Sequence, residues 1–246
     1  MLAVNRHPAV SPATDPGAPR HLRLVPDPAQ VLVGQRLYRY FPDAAEKPFM
    51  ICDVSLAVRR GESVAVIGAA GAGKTILLSL LAGLDEPDNG TVFAAGQQMS
   101  RRSEAHRARL RANHIGVLCS PANLLDHLTV AQNIVFARHL AGRRGYRDLS
   151  DRLAAVDLTG LGDSVPAALA AGQRARAGLA VALANDPPLL IADEPCAGLD
   201  APDESRLLDL LRTQADRGTA VLLATRSEQA AQWCDRTVRL VDGQLV

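Results

Sequence analysis

The sequence predicts an α/β protein: a mainly parallel central sheet flanked by helices, with a small antiparallel sheet beside it and a helical insertion at about residues 120 to 185. Three stretches predict it. Val64-Ala65-Val66-Ile67 runs through Gly68-Ala69-Ala70-Gly71-Ala72-Gly73-Lys74-Thr75 into Ile76-Leu77-Leu78-Ser79-Leu80-Leu81, the pattern of a buried strand, a turn of small residues and a helix. Leu189-Leu190-Ile191-Ala192 is a second short apolar run, suited to a central parallel strand, and it ends on Asp193 and Glu194. Val31-Leu32-Val33 and Met50 to Val58 look like antiparallel strands, with Arg59-Arg60-Gly61-Glu62 turning into the strand at 63 to 67.

The chain of 246 residues holds one large α/β domain or two small ones, and 48% apolar residues supply a sizeable core. A formal charge of +1 argues against a polyanion partner, so nucleic acid is not expected. No apolar run approaches the roughly 18 to 20 residues that cross a bilayer, and no signal-like segment opens the chain. A soluble, intracellular chain is expected. Cys52, Cys119, Cys196 and Cys234 are widely spaced with no C-x-x-C pair, which favours reduced structural thiols over disulfides or zinc.

Residues 1–29 carry six prolines and little apolar periodicity, so they read as a disordered extension ahead of a domain at 30–246. Tyr38, Tyr40 and Phe41 cluster after the first strand in a chain that is only 3% aromatic; a nucleotide base stacking there and a core or hinge contact are equal alternatives. After the helix at 74 to 83, Asp85 to Gly90 is a turn and Thr91-Val92-Phe93 a short strand. Five arginines between 101 and 111 lie at loose helical spacing and read as a solvated helix face. Ile115 to Cys119 is a strand, and 129 to 140 and 147 to 156 are helices. Beyond Leu169-Ala170, the Ala-rich stretch 171 to 184 is a helix, as is 203 to 216 with a stripe of Leu207, Leu208 and Leu211. Strands at 219 to 224 and 237 to 241 bracket a short helix capped by Ser227, and Asp242-Gly243 turns the chain at its end.

The stretch Gly68 to Thr75 matches G-x-x-x-x-G-K-S/T in a strand-turn-helix context. Small residues let successive backbone N–H groups face phosphate oxygens, and the helix opening at Lys74 adds the positive end of its dipole. Lys74 is expected to reach the β- and γ-phosphates of a nucleotide, and the Thr75 hydroxyl to ligate Mg²⁺. Asp193 is expected to hold the same ion, and Glu194 to act as base or water-positioner for attack on the γ-phosphate.

The order of these motifs, with Ile115-Gly116-Val117, Asn123-Leu124-Leu125, His127-Leu128-Thr129-Val130 and Ala182-Leu183-Ala184-Asn185-Asp186-Pro187-Pro188, resembles that of an ABC transporter ATP-binding subunit, closest to the macrolide-export and lipoprotein-release branch. The likeness spans nearly all of Val31 to Val246. It implies a P-loop NTPase of the ABC ATPase type that binds ATP and Mg²⁺ in a head-to-tail dimer. It also implies integral-membrane permease subunits as partners, a place at the cytoplasmic face of the membrane, and export as the direction of transport. Carried over by position, it implies adenine stacking at Tyr40, with Tyr38 as second choice, and a signature facing the partner's ATP at Leu169-Ala170-Ala171-Gly172-Gln173. It further implies a dimer-interface aspartate at Asp200.

Three positions depart from the family pattern: Ser120 stands where a Mg²⁺-sensing glutamine is usual, Ala170 where the signature has serine, and Arg226 where a histidine is usual. A hydrogen bond to a charged phosphate is worth roughly 1.5–3 kcal/mol, so ATP binding with slow hydrolysis is expected. Arg226 can partly compensate, because a guanidinium presents two donors to a phosphate. A hydrolysis-impaired regulatory or structural subunit is the alternative. The second ATPase subunit is either another copy of this chain or a more regular subunit, and the departures favour the latter, since a homodimer would gather every altered residue into both sites.

Overall fold

A computed structural model gives the fold and describes residues 27–40, 49–119, 123–145 and 148–246. Most of the stretch 1–29, together with Phe41 and Ser120, lies outside the described residues. Residues 27–29 form a turn in which the Asp27 carbonyl accepts from the Gln30 N–H at 2.8 Å.

Two sheets sandwich one helix. Strands β1 (Gln30–Tyr40), β2 (Phe49–Arg59), β4 (Asn89–Ala94) and β5 (Gln97–Gln98) form an antiparallel sheet in the order β2-β1-β4-β5. Strands β3 (Ser63–Ile67), β6 (Ile115–Cys119), β7 (Leu189–Asp193), β8 (Ala220–Thr225) and β9 (Arg236–Val241) form the parallel sheet in the order β9-β3-β8-β7-β6, with β10 (Gln244–Leu245) antiparallel on β9. Both faces of the parallel sheet are covered over β3, β6, β7 and β8, which is why those strands read as short apolar runs, whereas the outer strand β9 is largely exposed. Strand alternation divides them: Leu189 and Ile191 of β7, with Leu222 and Ala224 of β8, face one core, whereas Leu190 and Ala192, with Val221 and Leu223, face the other.

The first core is closed by α1 (Lys74–Leu81), which buries Leu77, Leu78, Leu80 and Leu81 between the two sheets. A helix that is apolar nearly all round belongs in such a layer, and each of these leucines contributes about 1.5–3 kcal/mol of burial. The second core is closed by α5 (Ala171–Ala182) and α6 (Ala201–Asp216), with α3 (Val130–Leu140) and α4 (Leu149–Ala155) packed beyond them. Among the described residues between β6 and β7 the chain is entirely helical or irregular. Helix α3 opens with a full capping box, Thr129 accepting from the Gln132 N–H and Gln132 from the Thr129 N–H.

Helix α2 (Glu104–His114) differs from a solvated arginine face. Arg107 and Arg111 have side chains only 14% and 17% exposed. Arg107 pairs with Glu86 at 2.6 Å and Arg111 donates to the Gly83 carbonyl at 2.5 Å, so they clamp α2 to the turn that follows α1. The Gly83 carbonyl lies past the end of α1, outside any helix, and the Arg111 guanidinium satisfies it. Helix α6 begins two residues before the expected start, because Asp200 caps it by accepting from the Asp203 N–H at 2.9 Å with Pro202 in the first turn.

Candidate functional site

Strand β3 ends at Ile67 and the chain reaches α1 through six residues of Gly and Ala. Two of the glycines are required. A Cβ at Gly68 would come within 2.5 Å of the Leu240 carbonyl oxygen, and Gly73 has φ of +100° with the Met50 carbonyl 2.8 Å from where a Cβ would stand. The loop is therefore pressed against β9 and β2 and can be traced only by small residues. Its curl turns Lys74 inward. The ammonium Nζ donates to the carbonyls of Gly68 at 2.8 Å and Ala69 at 3.1 Å and lies 3.4 Å from Glu194 Oε1, in a side chain only 7% exposed.

Glu194 arrives from the same sheet. Strand β7 lies one strand away from β3, separated by β8, and the Glu194 N–H extends the ladder by donating to the Ala224 carbonyl at 2.9 Å. Its φ of +46° is a left-handed conformation that costs a residue with a Cβ about 1–3 kcal/mol, held by this pairing. The carboxylate is gripped from the far side by Arg226, whose backbone N–H donates to Oε2 at 3.2 Å and whose Nε lies 3.4 Å from Oε1. A cleft of about 260 Å³ results, lined by Met50, Ala70, Gly71, Gly73, Lys74, Thr75, Ile76, Glu194 and Arg226. It lies at the C-terminal ends of the parallel strands, where open α/β sheets bind ligands. Its size suits a chain of phosphates and is below that of pockets enclosing a whole nucleotide-sized ligand.

The ABC transporter family matches residues 51–197. The chain belongs to that family. It is similar to YbbA, an uncharacterized ABC transporter ATP-binding protein of Escherichia coli K12, at 36% identity over 200 residues, covering 80% of this chain and 88% of the relative. It is also similar to the macrolide export ATP-binding/permease protein MacB of Salmonella typhimurium, at 35% identity over 212 residues, covering 85% of this chain and 33% of that longer protein. Among solved structures, an ATP-binding subunit of an ABC transporter superposes with a TM-score of 0.75 at 27% identity over 87% of this chain and 88% of the other. The dimeric post-hydrolysis cassette MJ0796, bound to ADP and Pi, superposes at 0.80 with 24% identity, over 87% and 96% of the two chains, and shares the fold. The protein is thus an ATP-binding ATPase subunit of the ABC transporter type.

Within this ABC transporter subunit the residues expected from the sequence fall into three groups. Ala70, Gly71, Gly73, Lys74, Thr75, Glu194 and Arg226 meet in the cleft, and Gly68, Ala69 and Ala72 form the turn behind it. Asp193 lies beside them at the end of β7. Its Oδ1 is buried and has no hydrogen-bond partner among the described residues, so it is an acceptor that a cation would satisfy. Together with the exposed Thr75 it fits a Mg²⁺ ion, a hard cation taking oxygen ligands. Cys196 and Cys234 stay out of the chemistry: burial pushes the Cys196 thiol up to about 12 and that of Cys234 up to about 11, so both are protonated at neutral pH.

Leu169 to Gln173 and Asp200 are not brought to the cleft of their own chain. Leu169 is buried, Ala171 is exposed at the start of α5, and Gly172 rests on α6, where a Cβ would overlap the Asp203 carboxylate. Asp203 accepts from Arg176 at 2.9 Å, and its N–H is capped by Asp200, so the segments at 170 and 200 form one connected corner. Ala170 is the N-cap of α5 and has no side-chain acceptor; half of a capping box remains, with Gln173 Oε1 accepting from the Ala170 N–H at 3.0 Å. Ala170→Ser supplies the missing acceptor and is expected to raise stability by about 1 kcal/mol. Urea denaturation checks this: an unchanged midpoint shows that the cap was not lacking.

Tyr40 does not line the cleft. Strand β1 continues to Tyr40, which pairs with Phe49 and donates its N–H to Asp88 Oδ2 at 2.8 Å, and its ring stacks on Tyr38 at 6.4 Å between centroids. The two tyrosines share one face because they are two apart on a strand. Met50, not singled out from the sequence, borders the cleft. Its only sequence signal is its place in the strand that must pack under the loop.

Proposed function

We propose that this chain is the energy-coupling subunit of a membrane exporter, binding Mg-ATP at the cleft, hydrolysing it slowly and passing the resulting closure to a permease. The observation that carries the reading is the buried Lys74 ammonium, held at the opening of α1 and faced by the Glu194 carboxylate. Backbone N–H groups of residues 71–75 and the helix dipole would take the β- and γ-phosphate oxygens, and Lys74 would leave its loop carbonyls for them. Mg²⁺, when bound, neutralises charge that develops on the phosphates. Thr75 and Asp193 would hold it, with Ser120 as a further ligand by position. Glu194 would orient the attacking water and accept its proton.

A half-open cleft of this size supports a site completed by a second molecule. The corner made by Ala170, Ala171, Gly172 and Asp200 would then close over the partner's terminal phosphate, with backbone N–H groups and the α5 dipole standing in for the absent serine hydroxyl. The altered positions at 120, 170 and 226 favour an asymmetric pair with a more regular ATPase subunit over a homodimer. They likewise keep in view a subunit with little turnover of its own.

The permease is best accommodated by a groove of about 670 Å³ between α2 and α3, lined by Leu84, Leu125, Phe136, Leu140 and Val181 among others. Leu140, Leu84 and Phe136 are 63%, 51% and 44% exposed, a concentration of apolar surface that soluble domains seldom leave bare. Purification of the intact membrane complex through this chain tests the reading. Permease and a second ATPase subunit are expected by mass, with phosphate release, and Phe136→Asp should lose the permease while keeping ATP binding. A complex without a permease, or one unaffected by Phe136→Asp, contradicts it.

A further inference from the structure

Three charged groups meet in the cleft, and their connections specify more than a binding site. Lys74 Nζ donates to Gly68 O at 2.8 Å and Ala69 O at 3.1 Å and forms an ion pair with Glu194 Oε1 at 3.4 Å. Two of the three protons of the ammonium are taken by the loop carbonyls, and its charge is met by the carboxylate. Glu194 Oε1 is shared with Arg226 Nε at 3.4 Å, while Oε2 accepts from the Arg226 N–H at 3.2 Å. The carboxylate is thus clasped at both oxygens by a residue from the end of β8, and the clasp leaves it on the ammonium that a terminal phosphate must use.

We propose that Arg226 is a positioning residue that latches Glu194 over Lys74 in the nucleotide-free chain, so that an incoming terminal phosphate must displace the carboxylate before the site fills. The inference rests on the reading of the cleft as an ATP site and adds its regulation. A γ-phosphate and the Glu194 carboxylate are both anions and compete for one cation, and like charges at contact distance repel. Arg226 opposes the exchange because its guanidinium and backbone N–H favour the resting position of the carboxylate. ADP, lacking the terminal phosphate, does not have to move Glu194. The latch therefore weakens ATP selectively, and makes displacement of Glu194 an event reporting that the γ-phosphate has arrived.

The size of the effect follows from exposure. The Arg226 side chain is 60% exposed, and a pair of that kind shifts an equilibrium by about two- to five-fold. The test is calorimetric titration of the full chain with ADP and with the non-hydrolysable β,γ-imido analogue of ATP, both with Mg²⁺. Arg226→Met should tighten the triphosphate analogue about two- to five-fold and leave ADP unchanged, while Arg226→Lys stays near the parent. In a Glu194→Gln background, Arg226→Met should have no further effect, because the latch is already open. Weaker triphosphate binding in Arg226→Met would mean that Arg226 grips phosphate directly, and the same tightening with Gln at 194 would mean that it acts independently of the Glu194 carboxylate; either would overturn the latch. Unchanged binding in every variant would also overturn it. A parent chain that binds neither nucleotide defeats the ATP-site reading itself, and the latch with it.

Discussion

Lys74→Ala removes ATP binding to the limit of ordinary titration, with affinity falling by about 10² to 10⁴. Each hydrogen bond between an ammonium and a phosphate is worth roughly 1.5–3 kcal/mol, and on the proposed reading Lys74 would make one to each of the last two phosphates. Together these amount to about 3–6 kcal/mol, and every 1.4 kcal/mol is ten-fold in affinity. The same substitution also disturbs the resting chain. The Gly68 and Ala69 carbonyls lose their donor, and Glu194 is left with Arg226 alone. A buried side chain is removed as well, so Lys74→Met, which keeps the apolar stem, separates lost phosphate contact from lost packing. Both variants should fail to bind ATP, with Lys74→Met retaining more of the parent's resistance to urea. Equal ATP affinity in Lys74→Met and the parent would mean that the nucleotide is held elsewhere.

Glu194→Gln stops turnover while leaving binding in place. The amide keeps the shape and can still accept from the Arg226 N–H, but it cannot take a proton from water, and it repels an incoming phosphate less. Phosphate release by the membrane complex should fall by about 10² to 10³, the usual range for loss of one positioned acid–base group or transition-state contact. ATP-bound dimer should accumulate in parallel, visible as a shift in mass on adding ATP. A fall of less than ten-fold would show that this subunit's own site contributes little of the turnover and would favour the regulatory reading of an asymmetric pair.

The parts of the fold that could be read from sequence are those whose pattern is local. Strands β3, β6, β7 and β8 are buried on both faces, so each is a short apolar run with turn residues at its ends. The phosphate loop is legible because its small residues answer contacts that any such loop makes with the strands beneath it. Arg107 and Arg111 were not legible as clamps, because their partners at Glu86 and Gly83 belong to another turn and the arginine spacing is equally that of a solvated face. The pairing of Arg226 with Glu194 joins residues 32 apart in the chain and depends on the ladder between β7 and β8. Asp203 beneath Gly172 depends on the packing of α5 against α6. Tyr40 ends β1 with its ring on Tyr38, outside the lining of a cleft that is the size of the phosphates alone.

The measurement that bears most directly on the central claim is steady-state phosphate release by the purified membrane complex, comparing the parent chain with Glu194→Gln and Lys74→Met at saturating Mg-ATP. The account predicts release by the parent, and about 10²-fold less or lower both with Gln at 194 and with Met at 74. Release that is the same in all three would contradict it.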